Sequence, residues 1–375
     1  MIDRLTTGRS GPRVALAHDW LVGLRGGEWV LDRLARLFGP APLYTLVSDG
    51  RFLTEAIAAC RVVTSPLQRF PGASGRWRRH YLPLMPWAVE RLGVEPCDLL
   101  ISTSSAVMKS INAPRGTPHL CYCHSPARYV WDQTGDYTRG AGGWARGLGL
   151  RAIRRRFQSW DRATADRPTR FLANSRHTAE RIRRCFGRSS QVVYPPVRTD
   201  LFTPDPGVER EDWLLVVAAL EPYKRTQIAI EAAGRAGWRL KVVGTGSQMD
   251  ALRAVAGPRV EMLGRADDQQ LVDLYRRARA LVFPQVEDFG ITAVEAQATG
   301  CPVVAFAAGG ATETITEKTG VFFGEQTADA LIEAVEQLEG RDLDAEACRA
   351  NALRFDEATF DRAILAQVNA LLAAR

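Results

Sequence analysis

No stretch of this 375-residue chain is apolar for long enough to cross a bilayer. The nearest approach, VALAHDWLVGL, is broken by His18 and Asp19 within a few residues of its start. The opening MIDRLTTGRSGPR has no apolar core, so no secretory leader is expected. Cysteine is sparse: seven residues at 60, 97, 121, 123, 185, 301 and 348, an odd number with no C-x-x-C. That spacing argues against a zinc site or a disulfide framework and for reduced thiols in a cytoplasmic protein. Internal repeats and low-complexity runs are also missing, which excludes solenoids and long disordered tails. What remains, 46% hydrophobic and 24% charged, has the composition of a globular protein long enough for two domains.

Charge is unevenly spread. Residues 1–200 carry 31 Lys and Arg against 15 Asp and Glu, a net of +16, whereas the remainder carries 18 against 27, a net of −9. A basic half suits an anionic partner: phosphates, nucleic acid or a membrane surface.

Short apolar runs alternate with helical patterns twice over. RVALAH, PLYTLV, DLLIST, HLCYCH, TRFLAN and QVVYP read as buried strands in the first half, and DWLLVVAAL, RLKVVG, VEMLG, ALVFP and PVVAF in the second. Helical patterns in the second half begin near Lys224, Ser247, Asp267 and Ile291. Between the halves, YPPVRTDLFTPDPG (194–207) is the proline-rich linker candidate. The expected fold class is α/β, with Rossmann-like parallel sheets in domains at 1–200 and 201–355 and a helix at 356–375 that could pack back on the first.

In such sheets ligands bind where strand ends lead into helix N-termini. The second half offers EPYKR after its first strand, GTGS after its second and QVEDFGIT after its fourth. The last opens a helix whose amides can hold a phosphate, and Lys224 and Arg225 would attract a diphosphate. Glu295, one turn into that helix, could accept two hydrogen bonds from a ribose diol, and Glu287 could bind sugar hydroxyls. The same positions also suit a carboxylate that merely complements a helix dipole and a solvated loop residue.

EDFGITAVEAQATGCPVVA, with GGATETI, TGVFF, HSPARYVWD, FLANSRHTAERI, YPPVRTDLF and EPYKRTQIAIEA, resembles retaining glycosyltransferase family four. Within that family the chain is similar to bacterial mannosyltransferases of O-antigen and exopolysaccharide assembly. The resemblance covers most of the chain from about residue 13. It implies a GT-B fold, two Rossmann-like domains facing a central cleft. It also implies a metal-independent retaining hexosyltransferase with no cofactor, whose substrates are a nucleotide-sugar donor, GDP-mannose, and a lipid-linked saccharide. On the matched positions, Glu287, Asp288, Phe289, Gly290 and Ile291 would contact the donor, Glu295 its ribose, and Lys224 and Arg225 its diphosphate. Many relatives carry an arginine about five residues before the lysine; Ala219 stands there, and Arg225 would supply the charge instead.

In the first half, DWLVGLRGGEW follows the first strand, and Gly26 and Gly27 would let its backbone approach a phosphate or acceptor. The resemblance places this loop near the donor diphosphate and gives His124, at the end of HLCYCH, a contact with the donor sugar. Ser175 needs no role beyond capping a helix. A nucleotide-dependent dehydrogenase would need G-x-G-x-x-G, whereas GTGSQM puts Met249 at the third glycine. A nucleic-acid module would use the arginines of RRRFQSW but leaves the second half unexplained; a catalytically inactive sugar-nucleotide-binding protein is the other alternative. Finally, GRWRRHYLPLMPWAVERL sets Arg76, Arg78 and Arg79 beside Trp77 and an apolar run with Leu82, Leu84, Met85 and Trp87. With Arg151, Arg154, Arg155 and Arg156 it suits the cytoplasmic face of an anionic inner membrane, although a core helix with a basic end has the same pattern.

Overall fold

The structure, a computed structural model, describes residues 11–51, 53–75, 77–131, 144–341 and 343–374. They form two units, Met1–Pro196 with Phe360–Arg375, and Val197–Thr359.

The first unit is built on seven strands: β1 (Val14–His18), β2 (Pro42–Thr45), β3 (Arg61–Thr64), β4 (Leu99–Ser104), β5 (His119–Cys123), β6 (Arg170–Ala173) and β7 (Ser190–Val192). Their order is β3-β2-β1-β4-β5-β6-β7 and every pairing is parallel. Such strands are covered on both faces, which is why β1, β4 and β5 are buried along their whole length. The order reverses between β1 and β4, so crossovers leave to opposite sides there and a crevice opens beyond their carboxyl ends.

The last helix, Glu357–Ala373, completes this unit. Phe360, Ile364, Val368 and Leu371 fall on one helical stripe and are buried in the same core as Val30, Leu34, Leu43 and Leu120. Each such side chain contributes roughly 1.5–3 kcal/mol of burial. An ion pair between Arg33 and Asp361 and a hydrogen bond from Arg170 to the Gln367 side chain (2.9 Å) fix its register.

The second unit has β8 (Leu214–Val217), β9 (Leu240–Val243), β10 (Val260–Gly264), β11 (Ala280–Phe283), β12 (Val303–Phe306) and β13 (Gly320–Phe323). Again all pairs are parallel, in the order β10-β9-β8-β11-β12-β13, and the switch point lies between β8 and β11. Helices follow at Thr226–Ala236, Met249–Val255, Asp268–Arg277 and Ile291–Ala298, the first two starting two residues later than their sequence pattern suggests. In the first case Pro222–Lys224 forms a separate 3₁₀ turn and Arg225 breaks the helical path with φ +54°.

Two strands went unexpected, β3 and β13. Both are four-residue edge strands, and β3 is exposed enough to lack the continuous apolar signature of an inner strand.

Candidate functional site

In the second unit, both strands at the switch point end in loops carrying expected site residues. β8 leads to Lys224 and Arg225, β11 to Glu287, Asp288, Phe289 and Gly290. The Lys224 ammonium contacts a Glu287 carboxylate oxygen, and each side chain is only 15% exposed. This pair joins two loops 63 residues apart and sets a cation and an anion side by side at the crevice mouth. Arg225 is exposed and caps the helix Thr226–Ala236 from the left-handed region, the only non-glycine residue with positive φ among those described. Strain of that kind costs on the order of 1 kcal/mol and clusters at functional loops.

Glycines hold these loops together. An added Cβ on Gly246 would lie 2.3 Å from the Leu220 carbonyl, and on Gly244 1.8 Å from that of Ala218. The GTGS turn therefore buttresses the loop that presents Lys224. Gly310 plays the same part opposite: its amide donates to the Glu287 carbonyl (2.8 Å), and its Cβ would sit 2.4 Å from the Phe289 Cα. Neither Gly309 nor Gly310 was singled out as a site residue, although both lie within GGATETI.

Asp288 and Phe289 are buried, and the Phe289 ring meets Phe355 edge-on at 5.4 Å, so their backbone rather than their side chains lines the loop surface. Gly290 takes φ +91° and caps the helix that begins at Ile291. Glu295 lies one turn into that helix and is buried. The Tyr275 hydroxyl donates to it at 3.3 Å. Burial pushes its carboxyl up to about 7, although the Arg198 guanidinium and Tyr275 pull it back down. Neither Arg198 nor Tyr275 was anticipated from the sequence.

A raised carboxyl has a stability consequence. Below about pH 4.5 Glu295 is neutral in both folded and unfolded chains; between there and about 7 the unfolded chain ionises while the folded one keeps its proton. Its contribution to stability thus falls as pH rises through this window. Glu295→Gln is expected to be more stable than the parent at pH 8, by on the order of 2 kcal/mol, and equal to it near pH 4. Thermal unfolding at the two pH values checks this.

In the first unit, Gly26 opens the helix Gly26–Phe38 beyond β1. A Cβ on Gly27 would lie 3.4 Å from the His124 Nε2 and 3.6 Å from the His18 Cε1, so glycine lets this helix start close against both rings. His124 follows β5, its amide donating to the Ser104 carbonyl and its carbonyl accepting from Asn174. His18 Nδ1 lies 2.6 Å from the Thr103 hydroxyl and its Nε2 3.7 Å from Glu28. Burial would push Glu28 up, but His18 and the backbone amides of Glu28 and Arg25 hold it below the usual carboxylate range. Asp19 is structural: both its oxygens are occupied by the amides of Ser105, Ala106, Val107 and Met108 at 2.5–2.9 Å. The Ser175 hydroxyl caps its helix by accepting from the Thr178 amide.

No group of metal-binding side chains occurs among the described residues. The Asp342-Leu343-Asp344 triplet offers no visible exception, since Asp344 caps the helix Ala345–Ala352 and Asp342 lies outside the described residues. All seven cysteines are buried and unbridged.

The basic surplus of the first half is partly internal. Half-buried Arg154 and Arg188 donate to the carbonyls of Val130 and Ala165, and buried Arg181 donates to Ser125. Arg155 and Arg156 are exposed. Arg76 and the side chains of Arg79 and Arg151 lie outside the described residues. In the segment 77–92 a 3₁₀ run, Arg78–Leu84, precedes a short helix, Met85–Glu90, and Met85 is buried while Trp77 (44%), Leu84 (39%) and Trp87 (38%) are exposed. Arg78 stacks on Trp20 and Arg91 on Trp87. No helix among the described residues is long and apolar enough to cross a membrane.

Comparison with known proteins adds two family matches: residues 25–201 to "Glycosyltransferase Family 4" and residues 199–355 to "Glycosyl transferases group 1". A D-inositol 3-phosphate glycosyltransferase of Mycobacteroides abscessus is 29% identical over 203 residues, 48% of this chain and 46% of that protein. A GDP-mannose-dependent monoacylated alpha-(1-6)-phosphatidylinositol monomannoside mannosyltransferase of Corynebacterium glutamicum is 31% identical over 194 residues, 44% of this chain and 51% of that protein. The chain thus spans about half the length of the curated relatives it matches. Among solved structures, sucrose-phosphate synthase from Thermosynechococcus elongatus superposes with a TM-score of 0.74 at 18% identity, covering 96% of this chain and 99% of that one. Anabaena Alr3699/HepE in complex with UDP and glucose gives 0.66 at 19%, covering 96% and 99%. The α/β architecture described above is the GT-B fold of these glycosyltransferases.

Proposed function

We propose, for a chain that belongs to glycosyltransferase family four, that it transfers a hexose with retention of configuration from a nucleotide-sugar donor, GDP-mannose, to a lipid-linked saccharide. The observation that carries this reading is the Lys224–Glu287 contact at the β8/β11 switch point, with buried Glu295 one helical turn beyond. A nucleoside diphosphate needs cations for its phosphates and a carboxylate for its ribose diol, and this corner of the fold offers both.

In this account Lys224, Arg225 and the amides at the start of the helix Ile291–Ala298 stabilise the charge that develops as the diphosphate departs. Glu287 orients Lys224 and accepts from the sugar hydroxyls, and the backbone of residues 288–290 shapes the sugar pocket. Neither a metal ion nor a cofactor enters the reaction; the departing phosphate oxygen takes the acceptor proton on the same face of the sugar, which preserves configuration. In the first unit, the role assigned to His124, beside Gly27, is sugar binding. The mannosyl donor is supported by the GDP-mannose dependence of the Corynebacterium relative.

A thermal-shift screen against GDP-mannose, UDP-glucose and ADP-glucose, followed by assay of labelled-sugar transfer to a bacterial lipid extract, tests the reading. Stabilisation by GDP-mannose with transfer insensitive to EDTA is expected. Stabilisation without transfer would favour an inactive sugar-nucleotide-binding protein, and no response to any donor would remove the reading.

The acceptor's lipid anchor calls for a membrane surface, and exposed Trp77, Leu84 and Trp87 beside Arg78 and Arg91 have the composition of an interfacial patch. The protein is placed on the cytoplasmic face of the inner membrane, with no role in nucleic-acid binding. It should sediment with phosphatidylglycerol vesicles at low salt, leave them at high salt and ignore phosphatidylcholine, each basic residue adding about 1 kcal/mol. Replacing Arg76, Arg78 and Arg79 with glutamate should reduce sedimentation without changing donor affinity; equal binding to both vesicle types, or binding to neither, would contradict the electrostatic attachment.

A further inference from the structure

Glu295 is held by the Tyr275 hydroxyl, and Arg198 joins the same cluster through Phe202, which packs on Tyr275. The Arg198 guanidinium grips the Asp268 carboxylate with two hydrogen bonds, 2.5 and 2.9 Å, and lies over the Phe202 ring at 5.4 Å. Phe202 is fully buried and meets the Tyr275 ring edge-on at 5.8 Å. Tyr275 is fully buried too, and its hydroxyl reaches Glu295 at 3.3 Å. A planar, two-pronged arginine–carboxylate contact leaves the guanidinium little freedom, so its charge stays in one place. The groups acting on Glu295 are Arg198, Tyr275 and Asp268, and Glu357 acts in turn on Arg198.

We propose that Arg198 and Tyr275 are positioning residues for the nucleotide: Tyr275 fixes the direction of the Glu295 carboxylate, and Arg198, locked on Asp268, supplies the charge that keeps it ionised for a ribose diol. The ribose role itself rests on the function proposed above. A carboxylate accepts from both hydroxyls of a diol, whereas a protonated carboxyl spends one oxygen as a donor. Arg198 therefore governs how much of the protein is competent to bind nucleotide at neutral pH. At Glu295 burial favours the proton and the charge of Arg198 disfavours it.

The test needs no identified donor. In protein carrying ¹³C at the glutamate side-chain carboxyl, the resonance missing from Glu295→Gln should titrate near pH 7. Arg198→Gln should move that midpoint upward by about one pH unit or more, Arg198→Lys should restore part of the shift, and Tyr275→Phe should move it upward by less. Should Arg198→Gln fail to fold, Tyr275→Phe decides alone, since it keeps the ring and removes only the hydroxyl. A midpoint unchanged in the folded variants would overturn the proposal. Calorimetric titration with GDP separates this from the ribose reading. Affinity should rise with pH through about 7 in the parent and be weak and flat in Glu295→Gln; full affinity in Glu295→Gln would discard the ribose role whatever the resonance does.

Discussion

Lys224→Ala is expected to lower turnover of GDP-mannose by about 10²–10³-fold while leaving the protein folded, because a preorganised cation at a departing diphosphate contributes several kcal/mol to the transition state and little to the fold. The lysine sits in a 3₁₀ turn with its side chain 15% exposed and pairs with Glu287. Glu287→Ala should lose at least as much, since it removes the sugar contact and the group that orients the lysine. Because the pair acts as a unit, the double variant should be scarcely slower than the worse single one. Rates come from GDP release in the presence of lipid extract, with thermal unfolding as the control for folding. Additive losses would mean that the two residues work independently, and parental rates in both singles would remove the assignment.

Gly310→Ala is expected to be damaging for a different reason. Its Cβ would fall 2.4 Å from the Phe289 Cα and 2.6 Å from the Asp288 carbonyl oxygen, both backbone atoms that no rotamer change can move aside. The loop of residues 287–289 must shift, and with it the oxygen of Glu287 that receives the Gly310 amide. The cost is about 2–4 kcal/mol of stability, with turnover falling to near the background rate. Gly257→Ala serves as the comparison, since nothing lies within 4 Å of its added Cβ. Its unfolding temperature should match the parent, and equal behaviour of the two variants would contradict the close-contact explanation.

Most of the frame was legible in the sequence because parallel strands buried on both faces are short, continuous apolar runs; β1, β4, β5 and β11 are of this kind. β3 escaped because a partly exposed edge strand needs only half of that signal, and β13 because its apolar run is only four residues long. At the candidate site, the positions of Glu287, Glu295 and Lys224 came from local motifs, whereas their environments did not. Glu295 was read as a partner for a ribose diol, and its burial against Tyr275 is not encoded in the local motif. Arg198 was passed over as part of a proline-rich linker, and its ties to Asp268 and Phe202 come from tertiary structure that no local periodicity encodes. Charge counting overstated the basic surface, because a buried arginine, such as Arg181 donating to Ser125, looks the same in a sequence as one facing solvent.

Crystals of the protein with GDP-mannose, or with GDP if the sugar is lost, give the most direct test of the donor site. Density is expected beyond the carboxyl ends of β8 and β11, with the diphosphate within hydrogen-bond distance of Lys224 and Arg225, and both ribose hydroxyls donating to Glu295. A nucleotide bound elsewhere, or one whose ribose is turned away from Glu295, would contradict it.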